Sequence, residues 1–184
     1  MSFFSKLTPP HRVGEKNFER ARAAEVRKDF GKARQYFEAA AQGFDEHFAA
    51  NNKSGEKQRP SHLVMAGICY TRLGRNEDAL AVLDVCIAQK EIPDAFLHAG
   101  YAAAQLSQVN KAVDYWSQYP DWSEERYISK ELKAQVEELR NSAEPNLLAA
   151  SEAVVHASHR QDKKNASDRL SARGKKTGPR NRGY

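Results

Sequence analysis

The stretch from Gly67 to Leu83, "GICYTRLGRNEDALAVL", decides the fold. It reads as two short amphipathic helices broken at Gly74, with a second glycine, Gly67, inside the first. A mid-helix glycine costs about 1 kcal/mol against alanine, so Gly67 marks a place where a neighbouring helix comes too close for a side chain. Ala79 plays the same part on the second helix. Gly74 ends the first helix by supplying a left-handed turn. Asn76 is placed to cap the second, with Asp78 near its positive end.

Working outward, the residues after Gly100 repeat this order. Gly67 pairs with Gly100 and Ala79 with Ala112, both at a spacing of 33. Tyr70 falls against Ala103, Leu83 against Trp116, and Cys86 against Tyr119. A period in the low thirties built from two amphipathic helices is the mark of a helical solenoid. A weaker copy lies upstream in Asn17, Ala21, Ala24, Phe30, Ala33, Phe37 and Ala40, where Ala33 precedes Ala79 by 46. That longer junction contains "FAANNKSGEKQRP", whose polarity, glycine and proline predict a loop or a frayed helix end. Pro120 shortens the second helix of the last copy.

These residues resemble the tetratricopeptide repeat, whose pattern runs W-x2-L-G-x2-Y, then A-x3-F, then A and P. The middle copy supplies Leu63, Ala66, Gly67, Tyr70, Gly74, Ala79, Leu83 and Cys86, with Pro93 closing it late. The third supplies Phe96, Ala99, Gly100, Ala103, Ala112 and Trp116. The resemblance spans residues 14–120 and implies an all-α fold: a helical-hairpin solenoid with a C-terminal capping helix and a disordered basic tail. It also implies a concave face lined by the first helix of each hairpin. Carried over, that face holds Glu15, Phe18, Arg22, Glu25 and Val26, then Ser61, Val64, Ile68, Thr71 and Arg72, then Asp94, Leu97, Tyr101, Ala104 and Gln105. The family's carboxylate clamp for heat-shock chaperone tails needs Lys and Asn there, and it is missing. Phe18, Arg22, Val64, Ile68, Arg72, Leu97, Tyr101 and Gln105 are therefore expected to form an apolar groove for a peptide or amphipathic helix. The chain's own "SFFSKL" or the 145–158 helix is an alternative occupant.

Beyond the repeats, Tyr127, Ile128, Leu132, Val136 and Leu139 follow the spacing of one buried helical face, predicting a capping helix over 123–141. Pro145 suits the first turn of a further helix, with Leu147, Leu148, Val154 and Val155 as a narrow apolar stripe. The expected organisation is an N-terminal segment at 1–13, a helical domain at 14–141, an amphipathic helix at 142–160 and a disordered tail at 161–184.

Charge is unevenly spread. Of the net +5, residues 160–184 supply +7 through nine Lys or Arg against Asp162 and Asp168, leaving −2 elsewhere. Lys163, Lys164, Arg169, Arg173, Lys175, Lys176, Arg180 and Arg182 are candidate contacts for nucleic acid or another acidic surface, gained by counterion release. Removing residues 160–184 is expected to leave the folded domain's melting temperature unchanged. Cys69 and Cys86 lie in apolar helical surroundings and read as buried thiols. No run reaches the ~20 apolar residues of a membrane span, "MSFFSKLTPP" lacks a signal's apolar core, and a cytoplasmic setting is expected.

No phosphate-binding or nucleophile motif appears, and "SARGKKTG" lacks the upstream glycine of a phosphate loop. Glu152, His156 and His159 share a helical spacing but read as a solvated face, so neither metal nor cofactor is expected. The expected function is a non-enzymatic adaptor that binds a protein or peptide partner. A small repeat chaperone for a hydrophobic client, or a ribosome- or nucleic-acid-associated factor acting through the tail, are the alternatives.

Overall fold

The computed structural model describes residues 8–176, with side chains through Asp168. Among them every regular element is helical, and no helix is long and apolar enough to cross a membrane. The chain divides into two compact units, 1–120 and 121–184.

The first unit holds α1 (Pro10–Val26), α2 (Phe30–Ser54), α3 (Pro60–Leu73), α4 (Asn76–Ile87), α5 (Pro93–Gln105) and α6 (Val109–Ser117). They pack as three hairpins, α1/α2, α3/α4 and α5/α6, with α2 touching α3 and α4 touching α5. The leading helices α1, α3 and α5 also touch one another in turn.

The turns inside the hairpins repeat atom for atom. Lys28, Gly74 and Ser107 are all left-handed, with φ of 60°, 77° and 59°, and stand 46 and 33 residues apart. Each is followed by a backbone N–H that reaches back to the preceding helix: Asp29 to Ala24, Arg75 to Tyr70, and Gln108 to Ala103, at 2.9–3.0 Å. This is the Schellman closure, which satisfies orphan helix carbonyls. The same three residues then start the next helix, their carbonyls accepting from Ala33, Ala79 and Ala112. Only one copy has the glycine this geometry favours. The other two place Lys and Ser there, a conformation that costs an L-residue roughly 1–2 kcal/mol.

Close helix contact follows the same register. A Cβ on Gly67 would meet Leu83, and one on Gly100 would collide with the Trp116 ring. Leu83 and Trp116 are both buried, and the Trp116 indole N–H donates to the Leu97 carbonyl at 3.2 Å. The first hairpin has Ala21 and Phe37 at the matching positions, and both are buried. A further close approach lies about two turns away, where a Cβ on Gly43 would lie 2.7 Å from the Gly14 nitrogen. Two backbones meet there without an intervening side chain.

Several local expectations change. Asn76 does not cap α4. It is the helix's first residue, and its Oδ1 is buried without a partner. Arg75 holds the cap position, its side chain drawn away to Asp45 and Asp78. Pro93 does not close the second copy. It opens α5, as Pro60 opens α3 33 residues earlier, because the first turn needs no N–H from its leading residue. The insertion after the first copy is mostly helix, since α2 continues to Ser54 and stops at left-handed Gly55.

The second unit contains α7 (Arg126–Asn141) and α8 (Leu147–Lys176), packed on each other. Ile128, Leu132, Val136 and Leu139 of α7 are buried as expected, but Tyr127 is 42% exposed, under the Arg160 guanidinium. On α8 the buried face is Ala150, Ser151, Val154, Ala157 and Gln161, while Leu148 is exposed. A stripe of small residues, not the leucines, sets the contact. Residues 161–176, expected to be disordered, continue α8. Gln161 is buried and its Oε1 accepts from the Tyr127 N–H, satisfying a first-turn donor of α7. Arg180 and Arg182, and the side chains of Arg169, Arg173, Lys175 and Lys176, lie outside the described residues.

Candidate functional site

The leading helices α1, α3 and α5 carry the residues expected from the sequence to line a groove. Val64, Ile68 and Leu97 are buried, each 5–7% exposed. Phe18 is half-buried and its ring meets Phe37 of α2 edge-on, 6.4 Å between centroids. Tyr101 is half-buried and Gln105 exposed. The apolar members thus supply interior packing more than open surface.

What the leading helices bring together is a chain of polar groups. Glu25 of α1 accepts from Arg22 at 2.6 Å on one oxygen and from the Arg72 Nε of α3 at 2.8 Å on the other. One carboxylate so ties two of the predicted residues and two hairpins together. On α3, Thr71 is buried beside Arg72, and its hydroxyl donates to the Ile68 carbonyl at 2.8 Å. That leaves its oxygen to accept a long contact, 3.4 Å, from Nδ1 of His98 on α5.

Burial first, and then the Arg72 and Arg22 guanidinium groups, hold His98 well below the ordinary imidazole range. It is a neutral imidazole beside a hydroxyl. Thr71 spends its proton on its own helix, a frequent use of a buried helical Thr, so the pair lacks the hydroxyl-to-imidazole donation that activates a nucleophile.

The two candidate tail residues with described side chains, Lys163 and Lys164, are exposed on α8, and Lys164 pairs with Asp168 at 3.1 Å. His156 and His159 are exposed, and among the described residues no three His, Cys, Asp or Glu side chains are arranged to hold a metal ion. Glu25 and Thr71 stand on the face expected from the sequence, whereas His98 gains significance only by proximity. Glu25 and Arg72 are 47 residues apart, and no local period links them.

No family model, curated protein or solved structure matches this chain.

Proposed function

We propose that this chain is a non-enzymatic protein-binding adaptor of tetratricopeptide type, contacted by its partner along the leading helices α1, α3 and α5. The observation that carries the reading is the exact-register recurrence of the hairpin turn at 46 and 33 residues, together with the packing of α1, α3 and α5 side by side. Repeats of this kind build extended surfaces whose residues come from successive units. With Val64, Ile68 and Leu97 buried, recognition falls to the polar and aromatic groups. Arg22 and Arg72 offer charge, with Glu25 as their resident counter-ion, and Tyr101 and Gln105 offer hydrogen bonding. A peptide bearing carboxylates fits this chemistry better than one with apolar anchors alone.

The polyanion reading is less favoured. Residues 121–168 carry ten carboxylates against seven Lys or Arg, so the positive charge resides in residues 169–184.

The test is affinity capture with the intact protein, comparing wild type with the Arg72→Glu, Tyr101→Ala double variant. A partner retained by wild type, lost by a variant of unchanged helical circular dichroism, supports the adaptor. A partner captured equally by both refutes the assigned face. A client that stays soluble only on co-expression points to the chaperone alternative instead.

A further inference from the structure

Three imidazoles from three helices meet where the first hairpin joins the second. His62, near the start of α3, has a side chain only 3% exposed. Its Nε2 lies 2.9 Å from a Glu15 carboxylate oxygen on α1, and its Nδ1 lies 3.1 Å from Nε2 of His47 on α2. His11 of α1 stacks on His62 at 5.6 Å between centroids and sits 5.1 Å from the His47 ring.

Proton accounting restricts this cluster. A carboxylate only accepts, so His62 carries its proton on Nε2. One further proton fits between His62 Nδ1 and His47 Nε2, whichever ring owns it. A neutral His62 accepts it from His47, and a cationic His62 donates it to a neutral His47. Both rings cannot be charged, because two N–H groups would then face each other at 3.1 Å with no acceptor between them.

We propose that Glu15, His47 and His62, with His11 stacked alongside, form a proton-operated latch that holds the first hairpin to the second and releases it on acidification. The groups facing His47 are His11 from α1, His62 from α3, and Glu56 and Arg59 from the α2–α3 connection, with Asn51 on its own helix. Only Glu56 favours its charged form. Burial, then His62 and His11, keep His47 below the ordinary imidazole value. Protons have a route in. The Glu15 side chain is 40% exposed and, with His11, lines a depression of about 430 Å³ with Thr8, Arg12, Lys16, Glu19 and Arg59.

The sign follows from linkage. Unfolded histidines protonate near pH ~6.5, while folded His47 takes up its proton at a lower pH. Below it the open chain binds the extra proton, so closure weakens as pH falls, by up to about tenfold per pH unit for one proton. His98 has the same sign elsewhere in the fold, so the readout must be local.

The experiment is hydrogen exchange by mass spectrometry on the full chain, following peptides around His47 and His62 at about pH 7.5 and about pH 5.5, corrected for intrinsic exchange. The expected result is a protection loss below pH ~6.5 in wild type, at most about tenfold per pH unit for one proton, and a largely flat profile in His47→Gln. A flat wild-type profile, or an undiminished loss in His47→Gln, overturns the latch. If His47→Gln fails to fold, ring-proton NMR of wild type decides. A delayed His47 titration that also shifts the His62 resonance supports the latch, and an ordinary, independent one overturns it. Added zinc sulfate at neutral pH that raises local protection would also overturn it, by making the ring nitrogens metal ligands.

Discussion

Replacing Gly67 with alanine tests the repeat packing most directly. The added Cβ would sit 2.5 Å from both Cγ and Cδ2 of Leu83 and 3.0 Å from Cδ1. Because Cγ is the branch point, not a free end, and Leu83 is fully buried, a rotamer change alone does not relieve the contact. Either α3 and α4 move apart or neighbours repack, a strain of about 1–3 kcal/mol. Better helix propensity returns about 1 kcal/mol. The net is a destabilisation between zero and about 2 kcal/mol, read as a fall of roughly 3–5 °C in melting temperature per kcal/mol. Gly31→Ala is the internal contrast, because nothing lies within 4 Å of its added Cβ. It should stabilise by up to about 1 kcal/mol. Leu83→Ala alone should cost about 2–5 kcal/mol. Combined with Gly67→Ala it should cost no more, since the new methyl fills part of the vacated space. Thermal and urea melts followed by circular dichroism give all four values. A Gly67→Ala midpoint that rises like Gly31→Ala, or a strictly additive double variant, would refute the close approach.

Four further outcomes follow from particular contacts. Lys28→Gly and Ser107→Gly should each stabilise by about 0.5–1 kcal/mol, the left-handed strain outweighing the added freedom of the unfolded chain, and a lower urea midpoint would contradict this. Asp45→Ala should cost about 1–3 kcal/mol, more than Tyr70→Phe, because it strands the buried Tyr70 hydroxyl now held at 2.5 Å. Its half-exposed, two-pronged pairing with Arg75, at 2.8 and 3.2 Å, contributes the smaller part of that cost, and denaturant melts of both variants rank them. Burial pushes the Cys69 thiol up to about 12, so at neutral pH it should react with iodoacetamide only after unfolding, and rapid native labelling would place it at the surface. Truncation before Arg160 should destabilise the α7/α8 unit by removing Gln161 from the Tyr127 N–H and Arg160 from Glu131, at 3.1 and 3.2 Å. Unchanged exchange protection across α7 would refute that, and would restore the sequence-based expectation of an inert tail.

The sequence by itself determined the helical class, three hairpins between residues 14 and 120, and the close helix approaches at Gly67 and Gly100, though not that Leu83 and Trp116 are what those glycines meet. What it determined is written in local period and residue size, which one chain displays without partners. It did not reveal Lys28 and Ser107 as left-handed, because neither residue type asks for that conformation. The turn closes around them because helix packing on both sides fixes it. The continuation of α8 past residue 160 was equally hidden. Its charge suggested disorder, whereas Ala150, Val154, Ala157 and Gln161 form a contact surface only once α7 is present. Tertiary structure alone decided the polar sites. Glu25 meets Arg72, Glu15 meets His62, and Asp45 meets Arg75 across 47, 47 and 30 residues. Hydrogen bonding and ion pairing act over a few ångströms in space and leave no periodic trace along the chain. For the same reason residues chosen as open groove, Val64, Ile68 and Leu97, became interior: their apolar surface was legible, and what would cover it was not.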